Sequence, residues 1–442
     1  MSATSKAAVG LSGRLVQIVA IVASGFLFYV VTRAVPLVSG EVSAIAAVGF
    51  LLLAGTLLSE LVEPLGLPHL TGYLVAGIVA GPNVLHLVDH EAVRVTSQVN
   101  ALALALIAFS GGAELKLSTV REVWKSLAYS TVIQHLVVFG ASAVAFVAMR
   151  EHISFARSMA QRPLIGAALL WGVLSASRSP AAVLGVLAQT RASGPVAMRT
   201  LAQVMTSDVV VVVLVAAVTA IAKPLLVPGA VLSLHQLSGL GREVLGSVSV
   251  GTTLGLLLIV YLRFVGKQVV LVLVALGGGF SEVVSYLHFE PMLTFLCAGF
   301  VVQNLSRYGD VLLHAVEDLG SVVYVVFFAT AGAHLDLGLL AQLWPVALAF
   351  CGIRAVTTFA CAHLASHLAN DPPEAKKYGF SGLVSQAGLT LGIAAILQRQ
   401  FPDLGAPFSA LVVACVALNE MVGPILFKWG LDRAGEAKPR EA

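Results

Sequence analysis

PLIGAALLWGVLSASRSPAAVLGVLAQTRASGPVAMRTLAQVMTSDVVVVVLVAAVTAIAK, residues 163–223, holds two apolar runs, Leu164 to Thr190 and Val196 to Ala222, each long enough to cross a bilayer. The first is interrupted by Ser175-Ala176-Ser177-Arg178-Ser179-Pro180. Proline lacks the backbone donor and clashes with the preceding turn, so this spacing predicts a helix that breaks near Pro180. The second run carries one carboxylate, Asp208, followed directly by Val209 to Val213. Interrupted backbone at membrane depth is tolerated where it lines a buried site, and a lone acid in a span marks an ion path.

The rest of the chain sets this pair in an all-α polytopic membrane protein. Of 442 residues, 58% are hydrophobic and only 11% charged, too few polar groups to cover a soluble protein of this length. The apolar runs are continuous rather than alternating, which excludes a β-barrel. About fourteen spans are expected: 15–36, 43–62, 67–82, 94–113, 124–149, 164–190, 196–222, 237–262, 268–286, 289–305, 317–333, 340–366, 376–398 and 406–429. The run at 15–36 is too long for a signal peptide and is read as an extra N-terminal helix. The whole chain, 1–442, reads as one transmembrane unit with a short tail, 430–442.

Charge supplies orientation. Sixteen Lys and Arg fall on the side that holds the N-terminus and eight on the other, which places both termini in the cytoplasm of a bacterial-type inner membrane. Arg178 and Arg354 fit neither set; with Asp208 they are the deepest charges. The four cysteines, Cys297, Cys351, Cys361 and Cys415, sit in apolar segments without a C-x-x-C partner and read as packing residues.

A second interruption is expected in Tyr378-Gly379-Phe380-Ser381-Gly382-Leu383-Val384-Ser385-Gln386-Ala387-Gly388, where Gly lowers the cost of unwinding and Ser and Gln can pair freed backbone. The interrupted segments are the sixth and thirteenth spans. An odd offset makes two matching units face opposite ways, the inverted-repeat design of many transporters, although the halves show no evident sequence identity.

Several short motifs, in order, carry a resemblance. Leu67-Pro68-His69-Leu70-Thr71-Gly72-Tyr73-Leu74-Val75-Ala76-Gly77 with Gly81-Pro82, Phe109-Ser110-Gly111-Gly112-Ala113-Glu114-Leu115, Ser179-Pro180-Ala181-Ala182-Val183, and Phe327-Phe328 with Gly332 together resemble the monovalent cation:proton antiporter superfamily, on its Kef-like and bacterial sodium/proton exchanger branch, over residues 43–430. The resemblance implies an elevator-type exchanger that works as a homodimer, in which two broken helices cross near the membrane midplane beside the acid that carries the ion. On that reading Asp208 is the shared cation and proton site, with Ser207 and Thr206 as neutral oxygen ligands. Ser177, Arg178, Ser179, Pro180, Ser385, Gln386 and Gly388 form the crossover, and Arg178 and Arg354 compensate charge.

Two departures from the family pattern matter. Ser207-Asp208 stands where many members carry Asp-Asp, Asn-Asp or Gln-Asp, and one carboxylate points to one proton per monovalent cation. Arg178 stands in the crossover where a hydroxyl residue is usual; it either holds Asp208 between turnovers, repels the substrate ion, or neutralises the C-terminal end of the first half-helix. Arg354 is expected to organise the site rather than touch the ion, since like charges repel. For Thr206, Ser207, Ser177 and Ser179, hydrogen bonding back to their own helices competes with any ligand role. Glu114 and Glu282 read as helix-end residues, Glu420 as structural, and His135, His288, His334 and His363 as packing histidines. Gly277-Gly278-Gly279 is expected to allow close helix contact.

No nucleotide fingerprint, zinc spacing, hydrolase elbow or basic nucleic-acid patch is present, so neither a cofactor nor a nucleic-acid partner is implied, and enzyme chemistry is not expected. Residues 430–442 are too few for the regulatory domain of some Kef-like proteins, so that regulation would need a separate chain. Three functions stay open on sequence: sodium or potassium exchange for protons by alternating access, a non-transporting sensor or scaffold locked by Arg178, and a gated cation path. The sequence does not separate sodium from potassium, because both take oxygen ligands.

Overall fold

A computed structural model describes residues 17–23, 25–26, 40–88, 90–227, 234–287, 289–333, 335, 337–386, 390–391, 393–394, 397, 401 and 404–438. Among them every regular element is helical. Hydrocarbon supplies no hydrogen bonds to the backbone, and a helix satisfies its own. Eight helices are long and apolar enough to cross a membrane, and four shorter apolar helices, His69–Ala80, Leu102–Glu114, Pro291–Leu305 and Val322–Ala333, stand where further spans are expected. Of the two remaining expected spans, 15–36 is described only at 17–23 and 25–26, and 376–398 is described at 376–386 and, beyond that, only at 390–391, 393–394 and 397.

The first interruption lies where Pro180 demands it. One half-helix, Gln161–Ser175, ends before it; the other, Pro180–Thr190, begins on the proline, with the Ser179 hydroxyl accepting from Ala182 N at 3.2 Å. After a left-handed turn at Arg191 the chain enters the helix Pro195–Leu226, which carries Asp208. The N-terminus of that helix is held by the chain's C-terminal segment: the Glu436 carboxylate accepts from Val196 N at 2.7 Å and Ala197 N at 2.8 Å. A carboxylate there meets both the unpaired amides and the positive end of the helix dipole.

The second interruption is longer. A short helix, Pro373–Tyr378, gives way to a 3-10 turn, Ser381–Leu383, and irregular chain at 384–386. Gly388 lies outside the described residues, as do His288 and His334. The glycine triplet also departs from expectation. Leu276–Phe280 is a π-helical turn between Val269–Ala275 and Ser281–Tyr286. Only Gly277 makes close contact, with Leu102; a methyl group at Gly278 or Gly279 would meet nothing within 4 Å.

Helices pack closest where glycine removes the side chain, and the contacts repeat in inverted order. A methyl group at Gly77 would lie 1.8 Å from the Ala329 carbonyl oxygen, and one at Gly332 would lie 2.2 Å from that of Leu74. In the matching contact between the halves, Gly299 faces the Phe109 oxygen at 2.3 Å and Gly112 that of Leu296 at 2.1 Å. Leu74-Val75-Ala76-Gly77 corresponds to Leu296-Cys297-Ala298-Gly299, and Phe109 with Gly112 to Ala329 with Gly332. Each contact therefore maps onto its counterpart with the roles of the two helices exchanged, as inverted repeats require. The halves share only a few residues, but those are the ones that set backbone approach.

Gly77→Val and Gly299→Val should therefore destabilise the protein alike, by at least about 1–3 kcal/mol each. Gly352→Ala, whose added methyl meets nothing within 4 Å, should be neutral or stabilising. Thermal unfolding of the detergent-solubilised protein checks all three.

Candidate ion site at the helix crossover

Breaking two helices leaves carbonyl oxygens that hydrocarbon cannot satisfy. One side chain closes most of them. Arg354, buried on the helix Leu337–Leu368, donates from Nε to the Ser175 oxygen at 2.8 Å, from Nη2 to Ser177 at 2.7 Å, and from Nη1 to Val384 at 2.6 Å. The first two acceptors belong to the first interruption and the third to the second. The guanidinium is a fixed planar fork, so it ties the two breaks together as well as neutralising them. Expectation allowed Arg178 to serve the first half-helix's C-terminal end; Arg354 does so instead.

The interruptions also bond to each other directly. Ser179 N donates to the Ser385 oxygen at 3.1 Å. Gln386 Nε2 reaches the Leu174 oxygen at 2.7 Å and Ser177 Oγ at 3.1 Å, while its Oε1 accepts from Asn419 at 3.0 Å. Ser177 Oγ is bonded to Leu174 O and Thr390 Oγ1. The carbonyls of Leu174, Ser175, Ser177, Val384 and Ser385 at the crossing thus each already accept a hydrogen.

Arg178 does not pair with Asp208. Its Nη1 donates to Ser207 Oγ at 3.0 Å and its Nη2 to Gln134 Oε1, leaving Nε buried without a partner. Ser207 is also bonded to His135 Nε2 at 2.9 Å, and His135 Nδ1 lies 2.7 Å from the Thr131 oxygen. A carbonyl can only accept, so Nδ1 carries the hydrogen; in the neutral ring Nε2 then accepts, and the Ser207 hydroxyl donates to it. Ser207 is consequently held from both sides.

Asp208 itself is 9% exposed, and both carboxylate oxygens are buried without a hydrogen-bond partner. Thr206 spends its hydroxyl on the Ala202 oxygen at 2.8 Å, and Ser179 spends its own on its helix cap. The Ser385 hydroxyl is buried and unpartnered. Ser207, Asp208, Ser177, Arg178, Ser385, Gln386 and Arg354 thus belong to one buried assembly, and Thr206 makes the competing bond back to its own helix. Gln134, His135, Thr390 and Asn419 complete the network. They look like ordinary helix residues in sequence; only their polarity at membrane depth hinted at a role.

A cleft of about 700 Å³ lies between the helix Pro180–Thr190, the start of the Asp208 helix and the helices His90–Glu114 and Gly309–Ala333. Glu114, Lys116, Arg191 and Asp310 stand around it, and Met198 and Leu201 line it. Leu201 is seven residues before Asp208, about 10 Å along a helix.

Two interrupted helices bonded to each other inside a multi-spanning bundle are a recurring arrangement in secondary transporters. Residues 48–429 match the model of the family described as sodium/hydrogen exchanger, transmembrane, and the chain belongs to that family, one of transporters rather than enzymes. Two solved structures of the sodium proton antiporter MjNhaP1 from Methanocaldococcus jannaschii share the fold. One, at pH 8, has a TM-score of 0.65 and 16% identity, and the other, from electron microscopy, 0.69 and 17%; each comparison covers 90% of this chain and 99% of the other. A curated relative, the iron transporter MagA of Paramagnetospirillum magneticum, is 27% identical over 286 residues, 64% of this chain; the match spans 62% of that relative's length.

Arg354→Met should orphan three carbonyls and cost about 3–5 kcal/mol of stability. Arg354→Lys should recover only part of this, because an ammonium cannot present three donors in one fixed fork. Melting temperatures in detergent test the order wild type, Lys, Met.

Proposed function

We propose that this protein is a secondary antiporter that exchanges a monovalent cation for protons, with Asp208 as the shared site and the region 43–429 as one exchanger unit. The observation that carries the reading is the Asp208 carboxylate: buried, free of hydrogen bonds and set against the crossover through Ser207. A buried carboxylate without partners is stable as the neutral acid or with a cation bound, and expensive bare. Competition between proton and cation for one group couples their movements, and alternating access carries whichever is bound across the membrane.

Arg178 supplies a fixed positive charge beside this site while bonded only to neutral groups. It leaves the carboxylate open for a cation. The 700 Å³ cleft opens on the side of Arg191 and Lys116, the face that the Lys and Arg bias assigns to the cytoplasm, so we read the conformation as inward-open, in an inner-membrane homodimer. The open oxygens of the crossover are those of the Asp208 carboxylate and the Ser385 hydroxyl, hard ligands that suit sodium or potassium. The imidazole and thiolate ligands that hold iron are not gathered here: among the described residues no three His, Cys, Asp or Glu could share a metal. His135 is already engaged by Ser207 and Thr131.

One observation favours a second reading, the locked sensor: the Arg178 guanidinium sits on Ser207 Oγ, an oxygen that would otherwise be open to the cation.

Proteoliposomes carrying a pH dye test both. Sodium or potassium should drive proton movement in wild type, and Asp208→Asn should abolish it while the protein purifies folded. Exchange at the wild-type rate in Asp208→Asn would remove the residue from the mechanism. Silence of wild type to every alkali cation, with exchange appearing in Arg178→Thr, would establish the locked reading instead.

A further inference from the structure

The inverted repeat reaches the ion site, and it gives Asp208 a counterpart. Arg178 on the first interruption bonds Ser207, the residue before Asp208. Gln386 on the second interruption bonds Asn419, the residue before Glu420. Ser177-Arg178 corresponds to Ser385-Gln386, and Ser207-Asp208 to Asn419-Glu420. The helices agree: Pro195 and Pro407, both in the first turns of their helices, stand the same 212 positions apart as Asp208 and Glu420. Gln134, which accepts from Arg178, likewise corresponds to Arg354 at the separation of 220 positions that relates Gly112 to Gly332.

The likeness extends to chemistry. Glu420 is 5% exposed, and its Oε1 is buried without a hydrogen-bond partner, as both Asp208 oxygens are. Its helix, Gly405–Ala434, packs directly on the second interruption: a methyl group at Gly423, one turn beyond Glu420, would lie 2.2 Å from Ser385 Oγ, itself buried and unpartnered. The charged and titratable groups on the elements packed against this helix are engaged elsewhere or make no pair with it. Arg354 holds three carbonyls, Arg199 pairs with Asp371 at 3.0 Å, His69 lies 3.4 Å from Glu63, and Lys376 reaches Asn370 at 3.5 Å. Cys351 donates weakly to the Cys415 oxygen. None of these, nor Asp208, forms an ion pair or hydrogen bond with Glu420 among the described residues.

We propose that Glu420 is a second proton-binding site of the transport core, the pseudo-symmetric counterpart of Asp208. The proposal rests on Asp208 being the ion site. A bare carboxylate is costly at this depth, so Glu420 holds a proton while the core carries no cation. On the side where the cation enters, the Asp208 proton leaves to water first, and the bare carboxylate, linked to Glu420 through Ser207–Arg178 and Ser177–Gln386–Asn419, holds the Glu420 proton in place; a cation binding at Asp208 cancels that negative charge, and the Glu420 proton is then free to leave. In one half-cycle Asp208 and Glu420 each carry a proton. In the other the cation occupies the Asp208 carboxylate, and the Glu420 proton has left to water on the side from which the cation came. Two protons then move against one cation, and one net charge crosses per cycle, where Asp208 alone would move none.

Titration calorimetry of the purified full-length protein with sodium chloride, in two buffers of different ionisation enthalpy, counts protons released per cation bound; potassium chloride replaces it if sodium gives no heat. Wild type should release more than one proton, up to about two, and Glu420→Gln about one. Equal counts in the two proteins would overturn the proposal and leave the Asp208 reading standing. Asp208→Asn should show no cation-binding heat; wild-type heat there would sink the Asp208 reading instead. Should Glu420→Gln not purify folded, Glu420→Met, of similar volume, is judged by the same count. As an independent check, a potential imposed across proteoliposomes should change the wild-type exchange rate and not that of the Glu420 variant; a wild-type rate indifferent to potential would also overturn the proposal.

Discussion

Three hydrogen bonds from one guanidinium make the crossover possible. An interrupted helix in hydrocarbon leaves carbonyls whose exposure costs several kcal/mol each. Arg354 meets three of them, on both interruptions, with charge-assisted bonds worth about 1.5–3 kcal/mol apiece. The burial of a guanidinium is itself expensive and is offset only because every bond it makes is to a strong acceptor. The remaining freed groups are met by short polar side chains, Ser177, Ser179 and Gln386, from within the interruptions. Irregular chain then persists inside an otherwise helical bundle with the Leu174, Ser175, Ser177, Val384 and Ser385 carbonyls each bonded.

The inverted repeat uses one arrangement twice with different chemistry. On one half a guanidinium, Arg178, bonds a hydroxyl ahead of an aspartate; on the other an amide, Gln386, bonds an amide ahead of a glutamate. On the helices flanking the interruptions, Gln134 and Arg354 exchange the roles of neutral acceptor and cationic donor. Symmetry in backbone with asymmetry in charge makes the two acids inequivalent: Asp208 stands beside a fixed cation, and Glu420 beside an uncharged pair. Glycine contacts far from the site enforce the same two-fold relation, so packing and site are two expressions of one duplication.

Much of this was legible in the chain. Pro180 announced the first break, the Gly and Ser run at 378–388 the second, and a lone carboxylate amid valines announced Asp208. What sequence order concealed was partnership. Arg354 was readable as a buried charge, yet its acceptors lie up to 179 positions away, and nothing local distinguishes a carbonyl clamp from an ion pair. Arg178 read as a partner for Asp208 because opposite charges at similar depth suggest it; Gln134 and Ser207, neutral and unremarkable in a helix, took its hydrogen bonds. The repeat was legible in the order of the segments but not in their residues, because identity survives only where backbones touch or the site is built, a handful of positions diluted by freely exchanged Leu, Val and Ala. The glycine triplet misled for the opposite reason: it serves a π turn, and one glycine of the three is packed.

The separation of Arg178 from Asp208 has a mechanistic meaning. A buried ion pair between them would have to be broken whenever Asp208 took a proton or a cation, and breaking such pairs costs about 3–5 kcal/mol, a barrier added to every cycle. On the proposed cycle Arg178, held by Ser207 and Gln134, keeps its place and its hydrogen bonds whatever Asp208 carries. In that cycle its charge acts as a constant field rather than as a competing ligand, and Arg354, bonded to three carbonyls, is equally indifferent to occupancy. On the proposed cycle, then, only the carboxylates change state while the scaffold of the crossing stays bonded. That is the condition for moving the site as a rigid unit, since an interruption that lost its hydrogen bonds at each turnover would expose the very carbonyls the arginine exists to cover.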